Sequence, residues 1–523
     1  KNISIHDQPE ATALLWSNGS ETHRYSFREM GIACNQLLNL LRDKGLQPGD
    51  VILTQLSLQT INWQAILSTI KGGFRMIPAA TILGTQDIVY RFQKLMPKAV
   101  IADQDNAAKI EEAEAHLGIQ IPVKIIADGI RNGWINTDEI DDYPDVADAA
   151  DTKADDPLFL FFTSGTTGLP KVVAHTQFSY PVGHLTTASW IGLKAGDIHY
   201  NISQPGWAKF TWSSFFAPWS VGATIFAYHT TERFNSTTQL QLIEKHGITT
   251  FCAPPTVLRM LITEDLSAYN FRFRNCVAAG EPLNPEVIEA WKKGTGILIR
   301  DGYGQTESTC MVANMPGAAV RFGSMGKPTF LYDIIIADEE GNELPVSEEG
   351  NICVRTGTDT PNGIFLEYLD EPEKMQSVFK HGLYYTGDKA YKDEDGYLWF
   401  VGRDDDVIKS SDYRVGPFEV ESVLLEHAAV LESAVVGSPH PVKGFEVKAF
   451  IIMTTGQEPS EALADELFTY CRKHLAPYKM PRVLEFVSVL PKTISGKIRR
   501  IELRALEAER KAKGIVPERE YRS

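Results

Sequence analysis

The stretch Thr163-Ser-Gly-Thr-Thr-Gly-Leu-Pro-Lys171 concentrates groups that bind anions. Glycine lets backbone N–H groups come close to an anion, the hydroxyls add donors, and Lys171 supplies a point charge. The apolar run over 158–162 ahead of it reads as a buried strand, and Val172-Val-Ala-His175 after it as another. A phosphate-holding loop between two strands is therefore predicted. It is not a Walker A loop, which opens a helix and ends in Gly-Lys-Ser/Thr. Here Pro170 precedes the lysine and a strand follows, so a P-loop ATPase is the least favoured reading.

Alternating elements position this loop. Apolar spacing predicts a helix over 27–45, a strand over 51–56, a helix over 63–72 and a strand over 99–102. Such alternation points to a mostly parallel α/β sheet. The stretch 138–156 is rich in Asp and Ala and is predicted to be a solvated connector. A second α/β run follows over 157–329, and short strands and turns over 330–401 predict a β-rich subdomain. Beyond residue 402 a compact α+β segment is expected, with helices near 420–427 and 462–475 and strands near 434–436 and 447–452. The expected fold class is α/β: a large N-terminal domain over 1–403 (α/β subdomains 1–150 and 157–329, β-rich subdomain 330–401) and a small α+β domain over 404–523.

The chain has 523 residues, room for several folding units at roughly 100–200 residues each. Its 51 Lys and Arg against 67 Asp and Glu give a net charge of −16, so general binding to nucleic acid is not expected. No apolar run reaches the ~20 residues of a spanning helix, so no integral membrane segment is expected. Cys34, Cys252, Cys276, Cys310, Cys353 and Cys471 are too scattered for a zinc site or compact disulfide framework and read as reduced thiols. The cytoplasm is the expected location; the chain starts at Lys1 without Met, so an organelle stays open.

Four further motifs follow the loop in order: Asp301-Gly-Tyr-Gly-Gln-Thr-Glu307, Tyr385-Thr-Gly-Asp388, Gly402-Arg-Asp-Asp-Asp-Val-Ile-Lys409 running into Tyr413-Arg-Val-Gly-Pro417, and Pro491-Lys-Thr-Ile-Ser-Gly-Lys497. Together the five motifs resemble the adenylate-forming superfamily: acyl-CoA synthetases, luciferases and adenylation domains of nonribosomal peptide synthetases. The resemblance spans nearly the whole chain and is strongest with medium-chain acyl-CoA synthetases. It implies a carboxylic acid and ATP giving acyl-adenylate and pyrophosphate, then CoA attack giving acyl-CoA and AMP. Two anions must meet, so the site must neutralise charge in the transition state.

By that resemblance ATP is bound by Thr163, Ser164, Gly165, Thr166, Thr167, Gly168 and Lys171, by Gly280-Glu281-Pro282, by Asp301, Gly302, Tyr303, Gly304, Gln305 and Thr306, and by Asp388, Arg403, Arg414 and Lys497. Glu307 would hold Mg2+, while Lys497, Thr306 and Glu307 are the catalytic candidates. The C-terminal domain would be mobile and turn about Asp405 between the two half-reactions. For CoA the resemblance implies Ser411, Asp412, Tyr413, Lys443, Arg472 and Arg482, with Arg91 from the N-terminal domain. Asp412 replaces the glycine most relatives carry, adding bulk and charge beside the thiol path. Trp207, Lys209 and Gly304 are the acyl-pocket candidates. Gly304 lacks the tryptophan that closes acetate-specific pockets, so a short, medium or branched acid is expected, with an aryl acid as the alternative. Loading of an acyl-carrier protein stays open as well, as does a catalytically silent nucleotide-binding protein. A homodimer is compatible with each of these functions.

Overall fold

In the computed structural model of the protein, the described residues are 7–163, 170–357, 361–410, 413–441, 444–493 and 497–523. The chain divides into two compact units: Lys1–Arg321 with Gly326–Tyr332 and Asp359–Met375, and Phe322–Met325 with Asp333–Thr358 and Gln376–Ser523.

The first unit is α/β, as the alternation predicts. Its helix Phe27–Asp43 starts at a capping box in which Ser26 and Glu29 each satisfy the other's backbone N–H. Met30, Cys34, Leu37, Leu38 and Leu41 recur at helical spacing and are buried. The strand Val51–Gln55 is buried throughout, the mark of an interior parallel strand.

Two sheets organise this unit. One runs Lys327–Pro328, Val312–Ala313, Ile299–Tyr303, Asn275–Ala278, Thr250–Ala253, Ile198–Asn201, Thr224–Tyr228, Thr12–Ser17, Thr22–Ser26. The other runs Glu367–Tyr368, Lys171–Thr176, Pro157–Thr163, Arg75–Pro78, Val51–Gln55, Ala99–Ala102, Val123–Ile126, Ile135–Asn136. Interior pairings in both are parallel, whereas Ile299–Tyr303 and Pro157–Thr163 each have an antiparallel neighbour. Each of these two strands therefore feeds its loop from a parallel interior into an antiparallel edge.

The acidic stretch 138–156 is solvent-facing as expected, with only Ile140 buried, and it is also strapped to the helix Phe27–Asp43. It opens with the 3-10 turn Thr137–Asp142. Asn35, Gln36 and Asn39 then donate side-chain amide hydrogens to the carbonyls of Asp145 (2.7 Å), Asp141 (2.9 Å) and Pro144 (2.8 Å).

The second unit contains an antiparallel sheet of Ile334–Ala337, Gly350–Arg355, Leu383–Lys392, Phe379–Lys380 and Leu398–Arg403. It also contains an α+β layer whose long hairpin Val430–His440 and Gly444–Met453 packs with helices Pro417–Leu425 and Glu461–His474. All six cysteines are free and buried. Among the described residues no helix is long and apolar enough to cross a membrane.

Candidate active site

Three candidate segments of the first unit leave the carboxyl ends of strands, where open α/β sheets hold ligands. The loop after Pro157–Thr163, the segment Gly280-Glu-Pro282 after Asn275–Ala278, and Gly304-Gln-Thr-Glu307 after Ile299–Tyr303 all start there. Thr163 stands opposite Lys171 in the antiparallel pair, so the phosphate loop springs from a closed hairpin. Thr163 Oγ1 is buried and makes no hydrogen bond with the described residues. Ser164, Gly165, Thr166, Thr167 and Gly168 lie outside the described residues.

Glu307 is the point of convergence. Tyr368 donates its hydroxyl to Glu307 Oε1 at 2.8 Å, and Lys171 Nζ lies 4.4 Å from the centroid of the Tyr368 ring. Behind them, His175 Nε2 lies 2.6 Å from the Thr306 carbonyl oxygen. His175 is fully buried, and burial pulls its pKa down to about 4. The ring is therefore neutral at physiological pH. A carbonyl can only accept, so Nε2–H donates and Nδ1, which has no partner among the described residues, carries no proton. A single carboxylate such as Glu307 suits Mg2+, which takes one or two carboxylates and draws its other ligands from phosphate and water.

The neighbouring candidates have structural work of their own. Asp301 is buried, and its Oδ1 accepts from Gly302 N–H at 2.9 Å. Burial pushes its pKa up to about 8 against hydrogen bonds from the Gly302 and Leu283 amides. The Glu281 carboxylate accepts from Thr256 Oγ1 at 2.9 Å and pairs with Arg259 at 3.4 Å. A Cβ on Gly304 would lie 2.2 Å from Thr309 O, so the close approach of backbone fixes glycine there. Its lack of a side chain answers first to this turn, where Met311 N–H reaches the Tyr303 carbonyl at 2.9 Å.

Lys209 Nζ donates to the Ala279 carbonyl at 3.1 Å, which places this acyl-pocket candidate next to Gly280. Trp207 is half-buried against the core of Ala79, Ala80 and Leu160. Gly206 before it, at φ +93°, lies so close to the Ala79–Ala80 backbone that a Cβ would meet Ala80 N at 2.3 Å. Arg91 is buried with its guanidinium 4.7 Å from the Phe162 ring, one residue before Thr163.

In the second unit, Asp388 stands opposite Arg403 in the hairpin, with Arg403 Nε 3.8 Å from Asp388 Oδ1. Asp388 is buried and Arg403 exposed. The three aspartates that follow divide their contacts. Asp404 pairs with Lys389 at 2.9 Å, Asp406 pairs with Arg504 and, at 3.7 Å, with Arg500, and Asp405 stands exposed between them. Arg414 is exposed opposite Lys409, and Tyr413 stacks on Tyr478 with centroids 4.6 Å apart. Arg472 is exposed in the last turn of Glu461–His474, and Arg482 donates to the Pro477 carbonyl at 2.9 Å. Lys497 is exposed; its N–H reaches Thr493 Oγ1 at 3.0 Å. Ser411, Asp412 and Lys443 lie outside the described residues.

Residues 3–369 match the family described as AMP-binding enzyme, and residues 419–497 match its C-terminal domain. The chain belongs to the AMP-binding enzyme family. Membership makes it an adenylate-forming enzyme, an AMP-forming acid–thiol ligase. It is 48% identical to 4-hydroxybutyrate–CoA ligase 1 of Metallosphaera sedula, over 100% of this chain and 92% of that protein. It is 43% identical to the mitochondrial acyl-coenzyme A synthetase ACSM3 of Mus musculus, over 95% of this chain and 86% of that protein. Among solved structures it resembles the anthranilate CoA ligase AuaEII in complex with anthranoyl-AMP (TM-score 0.88, 31% identity, 97% of this chain and 96% of that one). It also resembles a benzoate CoA ligase from Burkholderia xenovorans LB400 (TM-score 0.82, 28% identity, 96% and 98%).

The AMP-binding enzyme's sequence did not single out Tyr368. It lies in the two-residue strand Glu367–Tyr368, too short to leave a periodic pattern, and only the fold brings it beside Lys171 and Glu307.

Proposed function

We propose that this AMP-binding enzyme activates a short- or medium-chain carboxylic acid, branched or hydroxylated acids included, and transfers it to CoA. The observation that carries the reading is that Tyr368 and His175 meet the Thr306–Glu307 segment beyond the carboxyl end of Ile299–Tyr303, with Lys171 over the Tyr368 ring. Such a site gathers cation, hydroxyl and carboxylate where an acid and the α-phosphate of ATP would meet.

In this reading Lys171 and the loop hydroxyls neutralise the triphosphate, while Thr306 donates to phosphate or to the acid. Glu307 holds Mg2+, which when bound neutralises the phosphate charge that builds up as pyrophosphate leaves. Tyr303 and Gly280-Glu281-Pro282 line adenine, with Asp301, Gly302, Gly304 and Gln305 shaping the same turn. Asp388 takes the ribose hydroxyls and Arg403 and Arg414 bond ribose or phosphate. Lys497 contacts both carboxylate and α-phosphate in the first half-reaction. For the second, the domain over 404–523 turns about Asp405, a motion favoured by its position between the two anchored aspartates. Ser411, Asp412, Tyr413, Lys443, Arg472 and Arg482 receive CoA; Arg91, which the resemblance places with them, is buried against the Phe162 ring and is left to packing. Trp207 and Lys209 bound the acyl group.

An aryl acid is the second reading, favoured by the structural likeness to anthranilate and benzoate ligases. The cytoplasm is the proposed location, with an organelle as the alternative given the mitochondrial relatives.

Release of AMP is to be measured over straight C2 to C10 acids, branched acids, 4-hydroxybutyrate and benzoate, each with and without CoA. CoA-dependent turnover peaking on an aliphatic acid is expected. A peak on benzoate selects the second reading, and activity only with a carrier protein in place of CoA overturns both.

A further inference from the structure

The peptide of Glu307 is fixed from two sides. His175 Nε2–H donates to the Thr306 carbonyl at 2.6 Å, and Phe365 N–H donates to the Glu307 carbonyl at 2.8 Å. These contacts hold the backbone but leave the carboxylate free to rotate about its own side-chain torsions. Tyr368 removes that freedom by donating to Oε1 at 2.8 Å. Its own place is well determined: it is 4% exposed, and its strand is registered on Lys171–Thr176 with Tyr368 opposite Val173. The same ring carries Lys171 Nζ over its face at 4.4 Å. A phenol donating to a carboxylate is a charge-assisted bond, and an ammonium over an aromatic face is attracted by the ring quadrupole.

We infer that Tyr368 is a positioning residue for adenylation: its hydroxyl sets the rotamer in which Glu307 meets the metal, and its ring supports Lys171 against the phosphates. With Oε1 hydrogen-bonded to the phenol, Glu307 would offer Oε2 to a metal, and Mg2+ bound mainly through phosphate needs only one or two carboxylates. The inference rests on the metal role proposed for Glu307.

The two parts of the side chain separate experimentally. Tyr368→Phe removes the hydroxyl and keeps the ring, while Tyr368→Leu removes both. For Tyr368→Phe the Mg2+ concentration giving half-maximal ATP–pyrophosphate exchange should rise about tenfold, with a much smaller fall in kcat at saturating Mg2+. Mn2+ binding to the ATP-loaded protein, read by electron paramagnetic resonance, should weaken by the same factor. ATP affinity in EDTA should be unchanged in Tyr368→Phe and lower in Tyr368→Leu. An unchanged Mg2+ requirement in Tyr368→Phe overturns the inference, as does loss of its metal-free ATP affinity. Glu307→Gln separates the two levels. If it keeps full Mn2+ binding, the metal role of Glu307 falls and the inference with it. If it loses Mn2+ binding while Tyr368→Phe does not, only the inference falls.

Discussion

Two clusters of lysine and glutamate in this enzyme put the same chemistry to opposite uses. In the second unit Lys448 is fully buried, with Nζ 2.7 Å from Glu485, 2.6 Å from Glu507 and 2.6 Å from Glu520. Arg510 compensates Glu485 at 2.9 Å, and Ser438 donates to Glu507 at 2.9 Å. The charges there satisfy one another and tie the helix Arg500–Lys513 and the strand Glu520–Arg522 to the strand Gly444–Met453. In the first unit Lys171 and Glu307 are joined through Tyr368, which holds both groups in place without neutralising either. Direct pairing makes a lysine part of the fold. A neutral phenol instead positions a lysine and a glutamate through its ring and its hydroxyl, adding no charge of its own to either.

The largest effect belongs to Lys497, a lysine of the same unit as Lys448 with the opposite environment. It is exposed, with its N–H on Thr493 Oγ1 and its carbonyl oxygen accepting from the Thr493 N–H. Lys497→Ala should lower ATP–pyrophosphate exchange by at least ~100-fold, the scale of losing one transition-state donor. Thioester formation from supplied acyl-adenylate and CoA should continue, and the unfolding midpoint should hold. Equal loss in both half-reactions would place Lys497 with the structural lysines.

Lys448→Met should give the reverse pattern. Three carboxylates would be left around an apolar side chain, a loss on the order of 3–5 kcal/mol. Denaturant unfolding should register it, while the surviving folded protein keeps its pyrophosphate exchange. Burial alone would push the Lys448 pKa down, but hydrogen bonds to Glu485, Glu507 and Glu520 outweigh it and hold the pKa above the ordinary value. Its contribution is therefore complete below roughly pH 10.4 and is lost only as pH rises through the raised value. Stability that instead weakened between pH 7 and 9 through this residue would contradict the pairing.

What was legible in the sequence follows the same division. The alternating elements of the first unit, such as Phe27–Asp43 and Val51–Gln55, were visible because apolar spacing is local. The strand pair Pro157–Thr163 and Lys171–Thr176 was visible because apolar runs flank the Gly, Ser and Thr cluster on both sides. Tyr368 was not, since its partner Glu307 is 61 positions away and its strand has two residues. Nor was the strapping of 138–156, because Asn35, Gln36 and Asn39 look like ordinary exposed polar residues until the helix is folded against that segment. Lys448 reads as one more charge in an apolar run; its three glutamates arrive from 37, 59 and 72 positions further on. Long-range pairing leaves no local trace.

Asp301 offers a third way to bury an acid and the finest test of the comparison. Among the described residues no cation is paired with it; its Oδ1 accepts from the Gly302 amide, and burial raises its pKa to about 8. The unfolded chain releases this proton near the ordinary carboxyl value of roughly 3.9, whereas the folded protein keeps it until about pH 8. Folding therefore takes up a proton between these limits, and stability must fall as pH rises through them, by up to about 1.4 kcal/mol per pH unit. Asp301→Asn is uncharged at every pH and retains an oxygen for the Gly302 amide. Denaturant midpoints taken from pH 5 to 7.5 should decline more steeply in the parent than in Asp301→Asn. Parallel slopes would mean that Asp301 is ionised in the folded protein, with a compensating charge like the one the glutamates around Lys448 possess.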